Sequence, residues 1–232
     1  MIISANEKRA MAFRQAGHAL VGKLTARMDP IHKVTIIPHG HSLGVTQQLP
    51  TEDRLQMSEE AAHDQIAFRL GGRVAEQLVF GRLTTGSAHD IEAATALARR
   101  MVCEWGMSKQ VGPLFLGQPD QQGFLGSTWG RRHHAEATSR AIDDEVRRLL
   151  LRNQERAWKI ISENRDKLDV IAQALLELET IDGAEVDVLL AGGRITRPPL
   201  ALNRHGVRAG DTAAGSERPA LLPPPLPVPA KA

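Results

Sequence analysis

The residues best suited to chemistry lie near the N-terminus, in Phe13-Arg14-Gln15-Ala16-Gly17-His18-Ala19-Leu20. Positions four apart share one face of a helix. Paired histidines at that spacing hold zinc in an H-E-x-x-H pattern, and the glutamate between them serves as general base. Two of those positions are changed here: Arg14 stands where the first histidine would be, and Gln15 where the base would be. A guanidinium stays protonated, offers no lone pair and brings a positive charge to the place of a divalent cation. The amide of Gln15 keeps the shape of a glutamate but takes no proton at neutral pH, and loss of a general base typically costs ~10²- to 10⁴-fold in rate. On these residues alone, His18 reads more readily as a packed helical side chain than as a ligand.

The element that must position them is a helix from Glu7 to about Lys23, with Ala10, Met11, Phe13, Leu20, Val21 and Leu24 at helical spacing. Asp29-Pro30 ends it, because the residue before proline is pushed out of the helical region. Two β-type runs, His32–Pro38 and Gly44–Pro50, joined through His39-Gly-His41, predict a hairpin or small mixed sheet. Ser58-Glu59-Glu60 starts a helix that runs to about Phe80 and stops at Gly81. Gly71-Gly72 inside it costs about 1 kcal/mol per glycine relative to alanine, which predicts close packing against a neighbour. Further helices are expected over about Asp90–Trp105, Glu136–Ser162 and Arg165–Glu177, with a short one after Asp182-Gly183 and a loop over Val111–Arg132. Ile142, Val146, Leu149 and Leu150 form one apolar stripe, and Leu168, Ile171, Ala172, Leu175 and Leu176 another; Asp143-Asp144-Glu145 and Arg147-Arg148 read as a solvated face. The class expected is mainly α with a small β-sheet.

Composition narrows the function. The chain has 232 residues, 42% hydrophobic and 24% charged, enough apolar material for one real core. The single cysteine, Cys103, closes no internal disulfide and suits a reducing compartment. No apolar run approaches the roughly 18 to 20 residues of a membrane span. From Ala191 onward there are six basic and two acidic residues, so the basic charge belongs to the tail and residues 1–190 carry −2. With aromatics at 3% and no tyrosine, the body has neither the charge nor the stacking surface of a nucleic-acid binder. The tail, 191–232, holds eight of the thirteen prolines and is expected to be disordered, leaving 1–190 as the folded domain. No G-x-x-x-x-G-K-[ST] occurs, so nucleotide binding is not expected.

A wider series of motifs carries a resemblance. Ala16-Gly-His-Ala-Leu-Val-Gly22, Asp29-Pro-Ile-His-Lys-Val-Thr-Ile-Ile-Pro38, Leu70-Gly-Gly-Arg-Val-Ala-Glu-Gln-Leu-Val-Phe-Gly81, Thr84-Thr-Gly-Ser-Ala-His-Asp90 and Ala98-Arg-Arg-Met-Val-Cys-Glu-Trp-Gly-Met107 follow in order. Together they closely resemble the peptidase domain of FtsH-type ATP-dependent zinc metallopeptidases. Glu163-Asn-Arg-Asp-Lys-Leu168 and Glu179-Thr-Ile-Asp-Gly183 extend the similarity over about residues 5–190. The resemblance implies a mostly helical zinc-peptidase fold with a small sheet beside the cleft. It also implies a zinc ion held by two histidines and a later aspartate, and a glutamate that activates the metal-bound water. The second histidine corresponds to His18 and the aspartate to Asp90; Arg14 replaces the first histidine and Gln15 the catalytic glutamate. His18 and Asp90 are then vestigial metal positions, one short of the three protein ligands of a catalytic zinc site. His32, His39, His41 and His89 are not expected to repair it. Arg14 is expected to fill the metal position and pair with Asp90.

The resemblance further implies hexameric rings, a role in protein quality control, and unfolded peptide aligned on an edge strand, here Val45-Thr46-Gln47-Gln48 within Gly44–Leu49. Full-length relatives carry membrane helices and an ATPase module ahead of this region, and both are expected to be missing. The function expected is a degenerate, inactive FtsH-type metallopeptidase-like domain, a pseudoprotease that serves as a structural or peptide-binding subunit in homo- or hetero-hexamers. It is expected to be cytoplasmic, to meet a membrane only through partner subunits, and to bind no zinc although its family does. The alternatives are a zinc metalloendopeptidase with residual or unconventional activity, and a partial gene product without function.

Overall fold

The computed structural model describes residues 4–38, 44–50, 56–116 and 135–196. The elements are α1 (Ala5–Leu24), β1 (Ile31–Thr35), β2 (Val45–Gln48), α2 (Glu59–Phe80), α3 (Ala88–Cys103), α4 (Glu136–Glu163), α5 (Arg165–Leu178), β3 (Thr180–Asp182) and α6 (Gly183–Leu190), with a 3-10 turn at Thr85–Ser87. The class is mainly α with a small antiparallel sheet, as the sequence implies.

Local chemistry sets the boundaries. Ser4 Oγ accepts the Glu7 amide at 3.2 Å while the Glu7 carboxylate accepts the Ser4 amide at 3.0 Å, a capping box that starts α1. Thr25 ends it, its hydroxyl donating to the Val21 carbonyl at 2.7 Å. Ser58 caps α2, and Gly81 closes it at φ 64°, the left-handed conformation that glycine adopts without penalty. α3 stops at Cys103, two residues before the expected end, because the chain turns there through Gly106 at φ 63°.

The sheet has the order β2-β1-β3, and Val34 at its centre lies opposite Thr46 on one side and Ile181 on the other. The hairpin expected from the two proline-ended runs is therefore present; its connection, 39–43, lies outside the described residues. The third strand is an addition. α5 ends at Glu179, which takes φ 61° and offers its carbonyl to the Ile36 amide at 2.9 Å, delivering Thr180–Asp182 to the second edge of β1.

Two cores meet along α2. One joins α1, β1, α5, α6 and the end of α4 to Ala67, Val74 and Ala75; the other joins Ala62, Ile66 and Leu70 to α3 and to Ile142, Val146 and Leu149 of α4. Each large side chain fully buried in them contributes about 1.5–3 kcal/mol. α1 crosses α2 at Gly17 and Gly71, where a Cβ on Gly17 would lie 2.6 Å from the Gly71 carbonyl oxygen and from Ala75 Cβ. One expectation fails in α4: Glu145 is not on the solvated face but 1% exposed, accepting from Ser108 Oγ at 2.9 Å and from Arg148 at 2.6 and 2.8 Å. No helix among the described residues is long and apolar enough to cross a membrane. Residues 117–134 of the expected loop and 197–232 of the expected tail lie outside the described residues.

Candidate functional site

α1 presents Arg14, Gln15 and His18 on its buried side, at 5%, 4% and 4% exposure. α2 can lie against that side because position 72 is glycine: a Cβ there would meet Arg14 Cγ at 2.6 Å and collide with His18 Nε2. The glycine pair thus packs closely, as expected, and Gly72 clears the space for two of the candidate residues.

His18 is held at both ring nitrogens. Nδ1 lies 2.8 Å from the Phe68 carbonyl of α2, and Nε2 lies 3.2 Å from Asp90 Oδ2 in the first turn of α3. A carbonyl can only accept, so Nδ1 carries a hydrogen and Nε2 is turned toward the carboxylate. A backbone carbonyl on one nitrogen is the device that orients ligating histidines. Burial pushes the Asp90 carboxyl up, but the hydrogen bond and charge of His18, then the charges of Arg14 and Arg69, outweigh it and bring the carboxyl below its ordinary range. Two residues 72 positions apart in sequence are thereby brought into contact.

Arg14 does not make the expected ion pair with Asp90. Its Nη1 lies 3.4 Å from Glu76 Oε1, with the two side chains 6% and 1% exposed, while Asp90 is held by His18. Arg14 reaches Asp90 only as a nearby charge. Glu76 follows Gly72 by one turn on α2, and its second oxygen accepts from Thr84 Oγ1 at 3.0 Å. The guanidinium packs over Gly86, where a Cβ would collide with Nη1. Glu76 was missed from sequence. Its signal is a lone carboxylate one helical turn beyond the glycine pair, in a stretch from Val74 to Phe80 that is otherwise uncharged.

Gln15, expected at the base position, points the other way. Its Oε1 accepts from Thr46 Oγ1 at 2.8 Å, which ties α1 to β2, the strand at the sheet edge. His89 is turned to solvent beside Glu92 and His32 is exposed on β1, so neither joins the site; His39 and His41 lie outside the described residues. Zinc in a catalytic site requires three protein donors. Here one imidazole nitrogen and one carboxylate converge, and the neighbouring Arg14 is a cation without a lone pair. Among the described residues no three His, Cys, Asp or Glu side chains are close enough together to hold a metal ion. The donor set does not fit zinc.

The histidine of α1 and the aspartate of α3 converge within a mainly helical domain that carries a small antiparallel sheet. Comparison with known proteins names the family. The model of peptidase family M41 matches residues 1–189. The chain is 50% identical to ATP-dependent zinc metalloprotease FtsH 4 of Sorangium cellulosum over 195 residues, 83% of this chain and 30% of the relative. It is 46% identical over 206 residues to ATP-dependent zinc metalloprotease FtsH of Myxococcus xanthus, covering 88% of this chain and 32% of that protein. It is also 47% identical over 197 residues to FtsH 1 of Bdellovibrio bacteriovorus, covering 84% and 30%. The chain belongs to peptidase family M41 and has the FtsH-type peptidase domain. It spans about a third of the length of these relatives.

Proposed function

We propose that this chain is a non-hydrolysing FtsH-type peptidase domain, binding no zinc and serving as a structural and peptide-binding subunit of homo- or hetero-hexameric rings in protein quality control. The observation that carries the reading is the buried Arg14–Glu76 ion pair, which commits the first ligand position to a permanent cation. Gln15 adds to it: its amide cannot accept a proton from water and is engaged with Thr46. The β2 edge, which pairs with no further strand among the described residues, supports peptide binding, since an extended chain adds to such an edge by backbone hydrogen bonds. Residues 1–190 form the functional body in this reading, cytoplasmic and brought to a membrane only through partner subunits. His18 and Asp90 are the remnant of the metal position.

The test is zinc quantification and hydrolysis of an unfolded protein, for the natural chain and for Arg14→His/Gln15→Glu. The natural chain is expected to hold far less than one zinc per molecule and to cleave nothing, and the double variant to recover zinc. A second reading, a zinc endopeptidase with residual activity, is favoured by the ligand-like orientation of His18 between Phe68 and Asp90. Stoichiometric zinc in the unmodified chain would establish that reading and remove the first.

A further inference from the structure

A polar seam lies between α2 and α4 where the two cores meet. On α4, Asn153 stands one turn after Leu149 of one core and one turn before Ala157 of the other, and it is fully buried. Its Nδ2 donates to the Leu149 carbonyl at 2.8 Å, its Oδ1 accepts from Arg156 Nη1 at 3.1 Å, and Nδ2 also faces His63 Nδ1 of α2 at 2.9 Å. The first two partners fix the orientation of the amide without reference to the histidine, because a carbonyl only accepts and a guanidinium only donates. His63 therefore meets an N–H, and its Nδ1 offers a lone pair. The ring is neutral, with its hydrogen on Nε2, which lies 3.7 Å from Glu59 Oε1.

A proton on Nδ1 does not fit this arrangement, since it sets two donors face to face at 2.9 Å. Turning the amide over relieves that contact but brings Nδ2 against the guanidinium and Oδ1 against the Leu149 carbonyl, so one mismatch becomes two. The charges around the ring also oppose the proton: Arg152 and Arg156 face it from α4, against Glu59 and Glu60 on its own helix. Asp64, the next residue of α2, accepts from Arg156 at 2.6 Å and from the Arg27 amide at 3.4 Å. Members of such a buried network stand or fall together. We propose that His63 and Asn153 form an acid-sensitive catch: a proton on the ring releases Asn153 and, through Arg156 and Asp64, loosens the joint of α4 with α2 and with the Arg27 segment between α1 and β1. In the open network the ring returns to its ordinary value of 6.5, while in the closed one burial and the two arginines hold it lower. The closed form is thus fully favoured above about pH 6.5 and loses ground below it, by up to about 10-fold per pH unit until the closed ring itself takes the proton. The opening is local, with the rest of the fold standing.

The experiment is nuclear magnetic resonance of the full, nitrogen-15-labelled chain between pH 7.5 and 5. At the upper pH, two-bond nitrogen–proton correlations are expected to show the His63 hydrogen on Nε2. As the ring titrates, the Asn153 side-chain amide and the Arg27 backbone amide should lose protection against hydrogen exchange in step with it, by about 10-fold or more after correction for the intrinsic pH dependence. His63→Gln should keep that protection constant, since its side-chain oxygen accepts from Asn153 at every pH in the range. Asn153→Asp reverses the sign: a carboxylate accepts where the amide donates, so the ring should titrate higher than in the natural chain. A ring with its hydrogen on Nδ1 at pH 7.5, His63 titrating while both amides keep their protection, or a loss of protection that persists in His63→Gln overturns the catch. So does an Asn153→Asp ring that titrates no higher than the natural one; if that variant does not fold, the tautomer and exchange measurements on the natural chain decide the matter.

Discussion

Replacing Arg14 by alanine tests the centre of the molecule most directly. Glu76 is fully buried, and without the guanidinium its carboxylate keeps, among the described residues, the hydroxyl of Thr84. Stripping one partner from a buried ion pair costs ~3–5 kcal/mol. The 3.4 Å separation is long for a charge-assisted bond, so the lower end applies. An independent bound comes from the escape route. The stranded carboxyl of the variant can take a proton, which at pH 7 costs about 3–4 kcal/mol for an ordinary carboxyl. Both limits place the loss near 3 kcal/mol at neutral pH, and the second makes it shrink as the pH falls toward 5. Urea unfolding followed by circular dichroism at the two pH values measures both effects. In Arg14→Ala/Glu76→Gln the buried charge is gone, and more than half of the loss should return. A loss under about 1 kcal/mol in Arg14→Ala, or no recovery in the double variant, would mean that the ion pair is incidental to the site.

Gly72→Ala should destabilise by about 2 kcal/mol or more, despite the gain of about 1 kcal/mol in helix propensity, because the added methyl collides with Arg14 and His18; thermal unfolding reads this, and a neutral result would show that the two side chains are loosely held. His63 supplies a pH dependence. Its Nδ1 accepts from Asn153 Nδ2 at 2.9 Å, and burial, with the charges of Arg152 and Arg156, holds the ring below its ordinary value of 6.5 against an opposing pull from Glu59. The unfolded chain therefore binds the proton first as the pH drops below about 6.5, and stability falls from there toward the lower folded value. His63→Gln should flatten that part of the stability profile between pH 7.5 and 5.5; an unchanged slope would remove His63 as its source.

Much of the frame was readable because it is written in local chemistry. Ser4 with Glu7, Ser58, Gly81 and the prolines each settle a boundary through a bond or a dihedral of their own neighbourhood. β3 was not, since three residues carry no period and their pairing depends on the turn at Glu179. Glu145 was placed with its acidic neighbours in sequence, yet it lies three residues after Ile142 and four before Leu149, on the stripe those residues bury. The positions of His18 and Asp90 followed from the motif, as did the substitutions at Arg14 and Gln15. Which carboxylate Arg14 would choose did not, because Glu76 and Asp90 come to the same guanidinium from different helices, and only packing decides between them.

The middle position of β1 in its sheet has a consequence for how that sheet comes into being. Its partner on one side is next door in the chain, but its partner on the other is Thr180–Asp182, which leaves the ribosome only after all five longer helices. Non-local pairings of this kind form late, once the entropy of closing a large loop has been met by other contacts. A growing polypeptide therefore holds the hairpin with one flank open until α5 is in place, and during synthesis that flank is a surface for which chaperones and stray strands compete.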